Sequence, residues 1–161
     1  MRLALSLCAA LALTLPATAG ELTVGFGEAD VTPVVGKKPV YLAGFGMNRK
    51  ATGVHDPIMV RAVVLADGHD KVALVTVDVV GLFHPVVERI REKLPGYEYV
   101  LVSATHNHEA PDTLGLWGPN PVESGIDPAF LERVEAGCVE AVKAADAARK
   151  PAVAKIGTAS D

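Results

Sequence analysis

The stretch SATHNHEAP, residues 103–111, places His106 and His108 two positions apart where an apolar run gives way to polar residues. Neutral imidazole nitrogens suit Zn²⁺, which takes them at about 2.0–2.1 Å and in catalytic sites keeps one position open for water. Side chains two apart in extended chain point the same way, so the pair is expected to converge on one site. The alternative for an isolated H-x-H is a pair of hydrogen-bonded loop residues, and two nitrogens cannot complete a tetrahedral set. Two carboxylates are placed to hold a ligating imidazole by its far nitrogen: Asp78, late in VALVTVDVV, and Glu109, directly after His108.

The remaining histidines carry weaker cases. His55 in GVHDP precedes a turn, His69 lies in a turn, and His84 stands beside Pro85 at a helix start. Arg61, inside a strand-like run, is expected either to snorkel from an edge or to meet a carboxylate, with a substrate contact and a structural ion pair both open. Trp117 in GLWGPN either packs its loop or touches a lipid chain. Gly25-Phe26-Gly27 lacks the third glycine and the following helix of a nucleotide-binding fingerprint.

These residues need elements to position them. Residues 22–31 and 58–65 read as strands, residues 40–46 as a weaker one, and 66–70 (ADGHD) as a turn. Residues 71–80, KVALVTVDVV, form a nearly continuous apolar run, which predicts a strand buried on both faces. Val86, Ile90 and Leu94 recur four apart behind Pro85, so residues 84–94 are expected to be a helix. Residues 97–103, YEYVLVS, give the next strand, and strand–helix–strand in this spacing predicts a parallel βαβ unit. A long loop, 109–126, leads to Asp127, an N-cap before Pro128, and a helix to about residue 149 with Phe130, Val134, Cys138 and Val142 on its buried stripe. Residues 151–157 look like a last strand. The fold class is therefore α/β: a mixed sheet with a parallel βαβ core, flanked by helices. Ligands of open parallel sheets collect beyond the carboxyl ends of the strands, where Asp78, His106 and His108 fall.

Composition narrows the function. The chain has 161 residues, 50% of them hydrophobic, a net charge of -4 and a pI near 5.7, which excludes nucleic acid as a partner. Residues 1–19 read as a secretory signal: Arg2, an apolar stretch over 3–15, then Ala17-Thr18-Ala19 before Gly20. The apolar stretch is shorter than the roughly 20 residues that span a bilayer. The mature domain is thus expected at 20–161, secreted or periplasmic. Only Cys138 then remains, as a small buried hydrophobe.

Four motifs in order resemble the N-terminal domain of the neutral/alkaline non-lysosomal ceramidases: VGFGEADVTP, then YLAGFG with GVHDPIMVRAVVLADG, then VALVTVDVVGL, then SATHNHEAPDT. The resemblance implies a zinc amidase acting on the N-acyl bond of a sphingoid lipid, hence a lipid-like or acyl-amide substrate and room for peripheral membrane contact. It places the zinc ligand on His106 and a catalytic histidine beside the metal on His108. It also implies further ligands (another His, a Glu and a Tyr) downstream of this domain, which makes the chain one lobe of a larger catalytic domain. Where the family has S-G-P after the second histidine, this chain has Glu109-Ala110-Pro111, so a carboxylate joins the site and the preferred amide can differ from ceramide. The competing expectation is a non-catalytic exported α/β module that binds through loop 109–126, or a fragment inactive by itself. Oligomeric state is not legible.

Overall fold

The computed structural model describes residues 20–159, so the expected leader, 1–19, lies outside the described residues. The elements run β1 (Thr23–Asp30), β2 (Met59–Ala66), β3 (Lys71–Val77), α1 (His84–Glu92), β4 (Tyr99–Ala104), α2 (Pro128–Ala147) and β5 (Lys150–Pro151). They form one sheet in the order β4-β3-β2-β1-β5. β1 pairs antiparallel with β2 and β2 with β3, while β3 and β4 are parallel across the α1 connection, as the βαβ spacing predicts. The fold is α/β with a mixed sheet.

The β2–β3 hairpin turns where the composition places it. Asp67 Oδ1 accepts from the His69 and Asp70 amides at 2.9 and 2.8 Å, an Asx-type turn. The α2 start is also as read, with Pro128 in the first turn and the Asp127 carboxylate accepting from Ala129 N. Both helices bury their apolar stripes against the same side of the sheet. Val86 and Ile90 of α1, with Phe130, Val134, Cys138 and Val142 of α2, share a core with Val60, Val64, Val75 and Val77.

α2 lies almost directly on β1, and glycine makes that approach possible. A Cβ at Gly25 would stand 1.9 Å from the Ala145 carbonyl oxygen, and one at Gly27 would stand 2.2 Å from that of Ala141. The Gly-Phe-Gly stretch is thus a packing device.

Three expectations fail. Residues 71–80 are not buried on both faces: Ala73, Val75 and Val77 are buried while Leu74 and Thr76 are exposed, because helices cover only one side. Residues 40–46 are not a strand; they make only isolated bridges, Tyr41 with Lys50 and Leu42 with Pro111. The last strand is two residues, Lys150–Pro151, against the edge of β1, and the chain beyond it runs exposed.

Candidate functional site

The site lies past the carboxyl ends of β3 and β4. The ladder between these strands continues irregularly, with Thr105 N donating to Val77 O at 3.0 Å and Asn107 N to Val79 O at 3.1 Å. Between those two bonds His106 takes a left-handed conformation, φ 63°, which few non-glycine residues adopt. Its ring thereby lies over the chain leaving β3, and Nδ1 sits 2.9 Å from the Val80 carbonyl oxygen. A carbonyl can only accept, so Nδ1 carries a proton, which in the neutral ring leaves Nε2 to present a lone pair.

That Nε2 faces His108 Nε2 at 3.1 Å, with the two rings edge to face and their centroids 4.7 Å apart. The pair does converge, though not through the extended-chain alternation expected of it. A left-handed residue turns one ring back toward the other.

The carboxylates go elsewhere. Asp78 accepts from Arg61 Nη1 at 2.9 Å and from Thr105 Oγ1 at 3.2 Å, and from neither imidazole. Glu109 pairs with Arg49. The hydrogen bond that orients His106 comes from the Val80 backbone. Of the alternatives left open for Arg61, the structure shows an ion pair, with Asp78 and more distantly with Glu28. His55, His69 and His84 stand exposed, beside Asp56, Asp70 and Glu88 respectively.

Loops pin the surroundings. Asp112, fully buried, accepts from the amides of Leu114, Gly115 and Trp117 at 2.8–3.0 Å and so gathers the start of loop 109–126 into a knot. Thr113 Oγ1 donates to Gly81 O at 2.6 Å, tying that knot to the chain after β3. Ala43 N donates to Ala110 O at 3.0 Å and Asp112 N to Tyr41 O at 2.8 Å, which brings residues 41–49 over the site. Phe45 and Trp117 then wall His108, with ring centroids 5.3 and 6.2 Å from it. Arg49 donates to the His108 carbonyl at 3.1 Å and lies 5.3 Å from the Phe45 ring centre. A groove of about 650 Å³ runs alongside, bounded by residues 49–58 and by Asn107, Glu109 and Pro111; neither imidazole lines it.

Gly44, Phe45 and Arg49 escaped the sequence reading. Their signal was the aromatic residue between two glycines in AGFGMN, which fits a run of positive φ better than a strand: 85°, 57° and 110° at Gly44, Phe45 and Gly46.

A zinc ion suits this donor set in kind. His106 has its Nδ1 tied to a backbone carbonyl and its Nε2 left for a ligand, the arrangement that ligating histidines show. Among the described residues no group of three His, Cys, Asp or Glu side chains comes together, so the pair would be part of a coordination shell.

The profile of "Neutral/alkaline non-lysosomal ceramidase, N-terminal" matches residues 22–160. No curated protein matches the chain by sequence. Among solved structures, the neutral ceramidase from Pseudomonas aeruginosa is similar at 22% identity and a TM-score of 0.66, over 81% of this chain and 22% of that one. A ceramidase complexed with C2 is similar at 23% identity and a TM-score of 0.66, with the same coverage. The chain therefore spans less than a quarter of the length of either structure. With the profile matched over nearly its whole length, the chain belongs to the neutral/alkaline non-lysosomal ceramidase family, as its N-terminal domain.

Proposed function

We propose that residues 20–161 form the N-terminal part of a zinc-dependent amide hydrolase that cleaves the N-acyl bond of ceramide or a related acyl amide. The observation that carries the reading is the His106–His108 pair: two Nε2 atoms 3.1 Å apart, with His106 Nδ1 held by the Val80 carbonyl so that its Nε2 is turned toward His108. His106 would hold the ion. Zinc held there would supply Lewis-acid chemistry, polarising a carbonyl and bringing the pKa of water toward about 7. The protein's own residues then orient and protonate. His108, beside that nitrogen, donates a hydrogen bond to charge developing on the amide oxygen or passes a proton to the leaving amine. The Phe45 and Trp117 rings exclude water from its flank. Arg49 keeps Glu109 occupied, which limits the negative charge a lipid amide would meet.

Family membership supports the amide class, and the leader-like residues 1–19 support export. A peripheral approach to a membrane is compatible with Phe45, which is exposed and lies beside His108. The test is zinc titration of the chain beside His106→Ala and His108→Ala. The expected result is saturable zinc binding that His106→Ala abolishes and His108→Ala weakens. Binding untouched by His106→Ala would sink the assignment.

A further inference from the structure

His108 Nδ1 is buried and has no hydrogen-bond partner among the described residues. The wall it rests on is Gly44. A Cβ built there would lie 1.8 Å from Nδ1 and within 3 Å of two further ring atoms. Gly44 has φ 85°, and its neighbours are fixed by Ala43 N donating to Ala110 O and Leu42 N donating to Arg49 O. The backbone of residue 44 thus stands where a water or a polar side chain would otherwise reach the nitrogen.

An imidazole nitrogen in such a place holds either a proton or a lone pair. A buried N–H without an acceptor forfeits a hydrogen bond it made in water, and it is the rarer kind of orphan; an under-satisfied acceptor is tolerated better. At the other side of the ring, His108 Nε2 faces the His106 Nε2 lone pair at 3.1 Å, a contact that is favourable only with a proton between the two.

We propose that Gly44 is a positioning residue that fixes His108 as its Nε2–H tautomer. By denying Nδ1 any acceptor, it makes His108 Nε2 a donor aimed at the place in front of His106 Nε2. The two histidines divide the work through different backbone contacts. The Val80 carbonyl puts His106's proton on Nδ1, and the bare Gly44 backbone puts His108's proton on Nε2. The inference deepens the proposed function but is readable without metal, so it can fail separately from that reading.

The experiment is ¹⁵N NMR of histidine ring nitrogens in the chelator-treated full chain, in wild type, Gly44→Ala and Gly46→Ala. Gly46 is the control: its φ is 110° and nothing lies within 4 Å of a Cβ there, so alanine brings similar backbone strain without touching His108. Wild type is expected to show His106 as a single Nδ1–H tautomer and His108 as a single Nε2–H tautomer. Gly44→Ala is expected to turn His108 into a mixture while His106 keeps its pattern, and Gly46→Ala to match wild type. A mixed or Nδ1-protonated His108 in wild type overturns the proposal. So does loss of the pattern to the same degree in Gly46→Ala, or its survival in Gly44→Ala. If Gly44→Ala does not fold, the wild-type tautomer and a nuclear Overhauser contact between the Gly44 Hα protons and the His108 ring decide; absence of either overturns it. Zinc titration of the same wild-type sample reports on the proposed function alone.

Discussion

Asp112 is the residue on which the site's loop depends most. Its carboxylate is fully buried and accepts from three backbone amides, and no other side chain competes for it. Asp112→Ala would strand those amides away from water, each a loss of about 1–3 kcal/mol if nothing replaces the bond. Partial relaxation should hold the total to about 2–4 kcal/mol of stability by urea unfolding. Trp117 emission should shift in the folded state too, since its own amide is one of the three. Asp112→Asn keeps an oxygen for Leu114 and Gly115 but turns an N–H₂ toward Trp117 N, so it should fall between. A change below about 0.5 kcal/mol in Asp112→Ala, the range of an ordinary surface substitution, would refute the anchoring role. At this scale the sequence told half the story. Residue type and spacing pointed to His106 and His108, because imidazole chemistry is written in the letters. Their geometry was not legible: it rests on a positive φ at His106, on a backbone carbonyl, and on a glycine sixty-odd positions upstream. Nothing in the alternation of a strand encodes these.

Between the elements, α1 and α2 are joined by a buried carboxylate as well as by apolar packing. Glu135, 5% exposed, is bound by Arg89 at 2.7–2.8 Å and by Lys93 at 2.7 Å, and both cations are about half exposed. Burial raises the carboxyl's pKa. The hydrogen bonds and charges of Arg89 and Lys93 outweigh that and hold it below its ordinary 4.5. A depressed pKa means the folded state binds the proton less readily than the unfolded chain. The stabilisation is therefore complete above about pH 4.5 and drains away as pH falls through the lower folded value. Asp146, held low against its burial by Lys71, Tyr97 and Arg149, adds in the same direction. Stability measured between neutral pH and pH 3 should therefore fall more steeply in wild type than in Glu135→Gln; parallel curves would deny the carboxylate this part. The two sides of the clamp should also differ in cost. Arg89→Met with Lys93→Met leaves a buried carboxylate alone, at about 3–5 kcal/mol, whereas Glu135→Leu frees two cations that already reach water and should cost about 1 kcal/mol or less. The helices were legible from their four-residue apolar spacing and from Asp127-Pro128. Their ion pair was not, because Glu135 sits one position from Val134 in the chain and reads there as an ordinary solvent-facing charge.

Among the described residues the fold is one-sided: both helices lie on one face of the sheet, and no element covers the other. Strand register carries two apolar rows straight across it, Phe26–Val63–Leu74–Leu101 and Val24–Leu65–Val72–Tyr99. Phe26 is 72% exposed, Tyr99 51%, Leu101 43% and Leu74 41%. The next row, Glu28–Arg61–Thr76–Ser103, is polar and leads to Asp78 and Thr105 at the site end. This explains the misreading of residues 71–80. A continuous apolar run records that neither face of β3 is built for water, and the letters do not say whether both are covered. It also gives the last prediction. Apolar patches of this kind bind hydrophobic dyes and promote association. Phe26→Thr with Leu74→Thr replaces the two side chains of one row that flank Val63 by residues that suit a strand and hydrate readily. Fluorescence of bound anilinonaphthalene sulfonate, and the concentration dependence of the sedimentation coefficient, should both drop sharply in this variant. Its unfolding free energy should change by no more than about 1 kcal/mol, since neither side chain is buried. Val75→Thr, one position along β3 but on the helix side, should do the reverse. It buries an unpartnered hydroxyl at a cost of about 1–3 kcal/mol and leaves dye binding by the native state unchanged. Equal dye binding by wild type and the double variant would mean that the bare face is not the surface the dye reads, and that the rows are screened in solution.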